Sequence, residues 1–313
     1  MTRSADALAA VPGPVPSPAP DLGTTRIGGR DFVWGSQTFV MGIVNATPDS
    51  FSGDGLLRRS EARDGDPVST AVAAGVDLAM SMVEAGADIV DIGGESTRPG
   101  HAEVEWSDEA VRVVPMIRAV RSALPHVPIS IDTTKPGVAA AALEAGAGLI
   151  NDVWGVTDDD SMVQLAARHR VPIVLMHNRT EARYADLVPE VIADLEGAIE
   201  RALRAGIARN DILIDPGFGF GKTSEHNLTI LRELHRLAVM GRPIVLGTSR
   251  KSTLGKVLGG LPVDQRLEAT LATTALGIAG RADIVRVHDV VENVRAARMA
   301  DAVVRGTWRE EAR

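Results

Sequence analysis

Residues 128–152 read PISIDTTKPGVAAAALEAGAGLIND. A short apolar run, Pro128 to Asp132, ends in polar side chains; an Ala/Leu-rich segment of helical period follows from Pro136 to Ala145, and a second apolar run opens at Leu149. Strand, helix and strand in that order predict a parallel crossover unit. The same rhythm extends in both directions. Strands are predicted at Phe39–Val44, Asp88–Ile92, Pro128–Asp132, Leu149–Asn151, Pro172–Met176, Ile212–Asp215, Pro243–Gly247 and Ile284–Val287. Helices are predicted at Val68–Glu84, Asp108–Leu124, Pro136–Ala145, Asp159–His169, Pro189–Ala205, Ser224–Met240, Asp264–Gly280 and Val291–Val304. Eight alternations with continuously apolar strands predict an α/β fold, a (β/α)8 TIM barrel, with a doubly wound open sheet as the alternative.

Ahead of the first barrel strand, Arg30 to Thr38 reads as a small β-hairpin with Gly35 near its turn, placed to close the barrel bottom. Residues 1–24 are Pro/Ala-rich without apolar periodicity and predict a disordered leader, leaving 25–313 as a single barrel domain. Repeated prolines from Pro12 onward interrupt any secretory h-region, so a cytoplasmic location is expected.

The chain has 313 residues, 45% hydrophobic and 24% charged, and no run of about 18 apolar residues, so no membrane span is expected. Cysteine is absent, which excludes disulfides, thiol nucleophiles and thiolate metal sites. Any metal must sit on oxygen or imidazole. Net charge −8 and 3% aromatics oppose nucleic acid or anionic membrane as general partners.

Polar residues gather where each apolar run ends, the side on which barrel enzymes carry their active sites. The stretches are NATPDSF at 45–51, DIGGESTRPG at 91–100, SIDT at 130–133, NDVWG at 151–155, DPGFGFGK at 215–222, GTSRKS at 247–252 and RVHDV at 286–290. In these motifs and their order, from about Thr25 to Val304, the sequence resembles the dihydropteroate synthase family of the folate pathway. The resemblance implies a TIM-barrel transferase that joins 6-hydroxymethyl-7,8-dihydropterin pyrophosphate to 4-aminobenzoate. It implies release of pyrophosphate with Mg²⁺, formation of 7,8-dihydropteroate, and a homodimer.

The residues support that expectation on their own chemistry. Asp132, Asn151 and Asp215 project from three strand ends, and carboxylates with an amide suit the alternating donors and acceptors of a pterin edge. Singly, each is as readily a strand-end cap. Arg98, Lys251, Arg286 and His288 fall on strand ends or the loops after them, a local cation set for a pyrophosphate in an acidic protein; solvated loop charge is the bland reading. The resemblance assigns pterin binding to Asp132, Asn151, Met176, Asp215, Lys251 and Arg286. It assigns pyrophosphate to Asn45, Arg98, Arg286 and His288, with Asn45 also the Mg²⁺ ligand. It places the 4-aminobenzoate site at Phe51, Thr97, Arg98, Pro99, Phe220, Lys251 and Ser252, and gives the catalytic role to Asp132, Asp215, Lys251 and Arg286. Phe218 and Phe220, bracketed by Gly217, Gly219 and Gly221, read together as a functional wall. His177 follows a strand and is open to a structural role.

Two patterns are decoys. Gly221-Lys222-Thr223 resembles the end of a P-loop, but Pro216 stands where the first glycine belongs, and GFGFG lacks dinucleotide-binding spacing. One loop departs from the family: Ser50-Phe-Ser-Gly-Asp-Gly55 displaces the customary acidic residue by one position, and Leu56 to Pro67 is longer than usual. Its charged, Gly-rich composition predicts a lid. The alternatives are a catalytically impaired pterin-binding paralogue, opposed by the intact Asn45, Arg98, Lys251 and Arg286, and a pterin-binding methyltransferase, opposed by the SRKS and RVHDV cations.

Overall fold

The structure, a computed structural model, describes residues 22–46, 67–95 and 104–308. It opens with an antiparallel hairpin, β1 (Thr24–Ile27) and β2 (Arg30–Val33), then eight parallel strands: β3 (Phe39–Asn45), β4 (Ile89–Gly93), β5 (Ile129–Asp132), β6 (Leu149–Asp152), β7 (Ile173–Met176), β8 (Ile212–Asp215), β9 (Val245–Leu246) and β10 (Ile284–Val287). Neighbours follow chain order from β3 to β8, β10 returns beside β3, and β9 lies on β10. A parallel bridge between Ile214 and Ile244 spans the remaining gap, so the sheet curls into a nearly closed barrel. β9 is shorter than Pro243–Gly247 because Pro243 has no N–H and the Ile244 N–H is taken by the Asp283 carboxylate at 3.0 Å.

The helices between strands are α1 (Pro67–Glu84), α2 (Trp106–Ala123), α3 (Pro136–Ala145), α4 (Ser161–His169), α5 (Leu187–Ala205), α6 (Ser224–Arg232), α7 (Ser252–Val257), α8 (Leu267–Ala279) and α9 (Val290–Val304). In α3, Pro136 occupies the first turn, where its missing N–H costs nothing, and Gly146 ends the helix at φ 117°. Its buried stripe, Val138, Ala139, Ala142 and Ala145, has helical spacing. Two differences from the sequence reading are local. The helix from Ser224 stops at Arg232 and continues as a 3₁₀ segment, Leu234–Met240, and α7 is an additional short helix.

The hairpin turns at Gly28-Gly29, both at positive φ (56° and 92°), and not at Gly35. Two residues in the left-handed region are what a tight hairpin turn requires, and a glycine pair adopts it without Cβ strain. Thr24, assigned to the leader by composition, begins β1, and Leu22 ahead of it packs against the bottom cluster; residues 1–21 lie outside the described residues. The hairpin does close the barrel bottom. Ile27, Phe32 and Trp34 form one apolar cluster with the inward residues Phe39, Met41, Ile89, Leu149, Val174, Leu213, Val245 and Ile284. Phe32 and Phe39 meet edge-on at 4.7 Å, and the Trp34 indole N–H donates to Thr25 Oγ1 at 2.8 Å.

Candidate active site

Strand alternation decides what reaches the barrel interior. Ile129, Ile131, Ile150, Ile212 and Ile214 face the helices, whereas Met41, Ile89, Leu149, Val174, Leu213 and Ile284 face inward onto the plug. One step further toward the strand ends on that inward face stand Asp91, Asn151, Met176, Asp215 and Arg286, with Asp132 on the corresponding face of β5 and Asn45 at the end of β3. The interior is thus apolar below and polar at the mouth.

Arg286 joins this layer across the barrel. Its Nε donates to Asp91 Oδ2 at 2.6 Å and its Nη2 to Asp132 Oδ2 at 2.5 Å, while Asn151 Nδ2 donates to Asp91 Oδ2 at 3.3 Å. The second oxygens, Asp91 Oδ1 and Asp132 Oδ1, are buried and find no hydrogen-bond partner among the described residues. One guanidinium between two carboxylates leaves a negative charge unbalanced. Burial pushes the Asp132 carboxyl up to about 7, against the pull of Arg286 and with the like charge of Asp91 adding to it. Burial also opposes the charge on Arg286, but Asp91 and Asp132 outweigh it and hold the guanidinium protonated beyond its ordinary range. Asp215 is raised by burial, although the Gly217 N–H donates to its Oδ1 at 2.7 Å and favours the ionised form.

The glycine-rich loop after β8 folds over the adjoining β7 end. Gly217, Gly219 and Gly221 lie at φ 69°, 87° and 51°. A Cβ on Gly217 would stand 1.8 Å from the His177 carbonyl oxygen, so this loop takes no side chain there. Phe220 carries the Lys251 ammonium over its ring at 3.7 Å, within cation–π range. Phe218, expected beside it in a functional wall, instead points into the core and is 1% exposed. Alternate glycines send the two rings to opposite sides of the loop, which composition could not reveal.

Of the other expected residues, Met176 is buried at the end of β7 opposite Asp215. Asn45 is half-buried, and Ser252 is exposed at the start of α7. His288 Nδ1 lies 3.0 Å from Ser249 Oγ, which also accepts from the His288 backbone N–H at 3.1 Å. Arg250, inside the SRKS motif, is turned away as a structural fork, its Nε and Nη2 donating to Asp289 at 3.0 and 2.6 Å. Phe51, Thr97, Arg98 and Pro99, and the expected lid at 56–67 up to its final residue, lie outside the described residues.

The sequence reading missed Asp91. A carboxylate two residues after inward Ile89 in an apolar strand is the signal in the chain that points to it. A chain of polar contacts behind the glycine-rich loop is also absent from the sequence reading: Lys222 and Asp194 each hydrogen-bond the His177 ring, and Arg179 pairs with Asp194. A third group joins the described residues on either side of 96–103. Lys135 Nζ bonds Glu95 and, at 2.7 Å, buried Glu109, and Glu95 Oε1 accepts from the Val104 N–H at 2.8 Å.

A nearly closed parallel barrel with carboxylates, an amide and cations at its C-terminal mouth is the build of a barrel enzyme, and the family model described as pterin binding enzyme, which matches residues 41–288, places it in the pterin-binding class. The dihydropteroate synthase of Clostridium beijerinckii is 47% identical over 90% of this chain and 99% of its own length, and that of Bacillus subtilis 46% identical over 86% and 89%. Among solved structures, dihydropteroate synthase from Clostridium difficile, determined in the presence of pteroic acid, is 44% identical with a TM-score of 0.81, covering 88% of this chain and 99% of that one. The Xanthomonas albilineans enzyme with 4-aminobenzoic acid is 40% identical with a TM-score of 0.81, covering 90% and 97%. The chain belongs to the dihydropteroate synthase family, transferases of folate biosynthesis. No helix among the described residues is long and apolar enough to cross a membrane.

Proposed function

We propose that this chain condenses 6-hydroxymethyl-7,8-dihydropterin pyrophosphate with 4-aminobenzoate to give 7,8-dihydropteroate and pyrophosphate. The observation that carries the reading is the Arg286-centred layer, in which two buried aspartates each keep one unpartnered oxygen at the barrel mouth. Relatives solved with 4-aminobenzoic acid and with 7,8-dihydropteroate support it.

On this reading Asp132, Asn151 and Asp215 take the pterin's donor and acceptor edge, and Met176 packs beside its ring. Arg286 lies against the pterin, holds Asp132 in place and, with Asn45, Arg98 and His288, meets the pyrophosphate. Lys251 borders both substrates. Phe220 and Ser252 line the 4-aminobenzoate side together with Phe51, Thr97, Arg98 and Pro99. The arylamine is itself the nucleophile, so the protein's task is orientation and charge stabilisation without a covalent intermediate. As the bond to pyrophosphate breaks, positive charge develops on the pterin, and the ionised forms of Asp132 and Asp215 stabilise it.

Among the described residues no three His, Cys, Asp or Glu side chains gather around a common point. A half-buried neutral amide, Asn45, at the mouth fits Mg²⁺, which takes most of its ligands from phosphate and water. Bound there, the ion would offset charge on the leaving pyrophosphate. A cytoplasmic location and a homodimer belong to the same reading; light scattering on the purified chain tests the assembly.

The decisive assay supplies the pterin pyrophosphate, 4-aminobenzoate and Mg²⁺ and follows pyrophosphate. Release that depends on 4-aminobenzoate is expected. Tight pterin binding without release would replace the synthase by a non-catalytic pterin-binding barrel. Lys251→Ala and Arg286→Ala are each expected to reduce turnover by orders of magnitude; wild-type turnover in both would refute the assignments.

A further inference from the structure

The glycine-rich loop that carries Phe220 has few means of holding its own shape. Gly217, Gly219 and Gly221 bring no side chains, and glycine has the largest backbone freedom to lose on ordering. Yet the Phe220 ring must stay where the Lys251 ammonium rests on it. Three contacts hold the loop from its own side: the Gly217 N–H on Asp215, the Phe220 N–H on the Gly217 carbonyl oxygen at 3.1 Å, and the Gly219 N–H on Asn227 Oδ1 at 2.7 Å. The others run through Lys222, at the loop's end, and Tyr184 to the segment that follows β7.

Lys222 Nζ donates to the Phe220 carbonyl oxygen at 3.2 Å and to His177 Nδ1 at 2.8 Å. With Nδ1 accepting, the ring must carry its proton on Nε2, which donates to Asp194 Oδ2 at 3.1 Å. Arg179 Nη2 holds the same carboxylate at 2.8 Å. Separately, the Tyr184 hydroxyl donates to the Gly221 carbonyl oxygen at 2.8 Å. Phe220 and Gly221 are thus tied through their main-chain oxygens to the side chains of Lys222 and Tyr184. His177 is fully buried, so the strut ends on an anchored ring.

Burial pushes Lys222 down to about 7. Its two acceptors match the two N–H bonds of a neutral amine, so the strut persists in either protonation state. Burial and the neighbouring Lys222 charge push His177 down to about 4, against the pull of Asp194, which keeps the ring neutral and its Nδ1 able to accept.

We infer that Lys222, His177 and Tyr184 are positioning residues for the arylamine side of the reaction, acting through Phe220 and the Lys251 ammonium seated on it. The inference rests on the substrates proposed above. A strut for Phe220 affects first the substrate that Phe220 borders; none of its bonds falls on Asp91, Asp132 or Arg286, and only Lys251, which borders both substrates, and Asp215, within the field of the Lys222 charge, carry a smaller effect to the pterin. Lys222→Met keeps the side-chain length and removes both donated bonds. Its KM for 4-aminobenzoate is expected to rise by about tenfold, the equivalent of one to two net hydrogen bonds, with KM for the pterin pyrophosphate within about twofold of wild type.

The absence of cysteine from the chain permits a chemical rescue. Lys222→Cys, alkylated with 2-bromoethylamine in urea and refolded, regains a lysine-shaped amine at that position alone. Alkylation is expected to restore the KM for 4-aminobenzoate to that of wild type taken through the same cycle. Tyr184→Phe removes one hydroxyl without threatening the fold and serves where the Lys222 variants do not fold. Its expected effect is a rise of about threefold in the same KM alone. Unchanged constants, or both KM values rising in parallel, would overturn the inference. Wild-type protein without turnover would instead refute the proposed substrates, and that outcome is read before any variant is made.

Discussion

Asp132 concentrates the electrostatics of the mouth. Its folded-state pKa, raised to about 7 chiefly by burial, lies above the roughly 3.9 of an unfolded aspartate. Between those values the folded chain binds more protons than the unfolded one, so this residue's contribution to stability is present below about pH 4 and is lost as pH rises through 7. Asp132→Asn is expected to flatten that fall: urea midpoints for variant and wild type should lie closest below about pH 4 and separate progressively by pH 8, with the variant more stable and catalytically poor. The same carboxylate makes binding pH-dependent, because a ligand that donates N–H groups to it prefers the ionised form. Pterin affinity is expected to fall as pH drops below 7, and titration calorimetry in buffers of different ionisation enthalpy should register proton release on binding near neutrality. At Arg286 the structure adds to the expected loss of turnover. Truncation leaves two buried carboxylates without their shared cation, a situation that costs about 3–5 kcal/mol when a buried pair is broken. Arg286→Ala is therefore expected to melt lower at pH 8 and to regain part of the difference at pH 5, where protonation relieves the charge.

At the scale of elements, strand alternation and loop chemistry divide the work. A strand offers every second residue to the interior, and Asn151, Asp215 and Arg286 fall on that face with the apolar plug residues two positions earlier. Direction along a strand was therefore readable, and these side chains were assigned to the mouth from their positions alone. The loop after β8 was not readable in the same way. Whether Phe218 or Phe220 faces the mouth depends on three successive left-handed glycines, and only the backbone path separates them. Gly217→Ala is expected to abolish turnover while leaving the helix content of the circular dichroism spectrum intact, since the new Cβ meets the His177 carbonyl oxygen at 1.8 Å and displaces the loop rather than the barrel. The start of α6 offers a control. Thr223 Oγ1 accepts from the His226 N–H at 3.1 Å, and Thr223→Ala is expected to cost about 1 kcal/mol of stability without separating the two KM values.

For the whole molecule, the hairpin and the barrel strands share one apolar cluster. Phe32 is fully buried beneath the strands, against Trp34 and Phe39. Phe32→Ala is expected to destabilise the chain by about 3–5 kcal/mol, read as a lowered unfolding midpoint, while the KM values of the folded fraction stay near wild type. The plug and the site occupy opposite ends of the barrel. A matching rise in KM would show that the bottom cluster sets the mouth geometry. Closure at the other seam is polar: Asp301 takes the Thr38 N–H at 2.6 Å and the Thr38 hydroxyl at 2.8 Å, tying α9 to the entry of β3.

The order of strands and helices, the apolar strand faces and the polar strand ends were determined by the sequence itself, because each depends on a local period or on residue type at a fixed offset. The seven motifs likewise identified the family from the chain alone. The tertiary structure decided what depends on which strands become neighbours. Arg286 meets Asp91 and Asp132 across 195 and 154 residues of chain, and burial in the closed mouth, with Asp91 adding to it and Arg286 opposing it, is what raises Asp132. The hairpin turn moved from Gly35 to Gly28-Gly29 because a tight turn needs two consecutive left-handed residues, and Phe218 entered the core because the loop glycines turn its ring inward. Periodicity encodes which face a side chain takes within its own element; the partner it finds there is set only when the barrel closes.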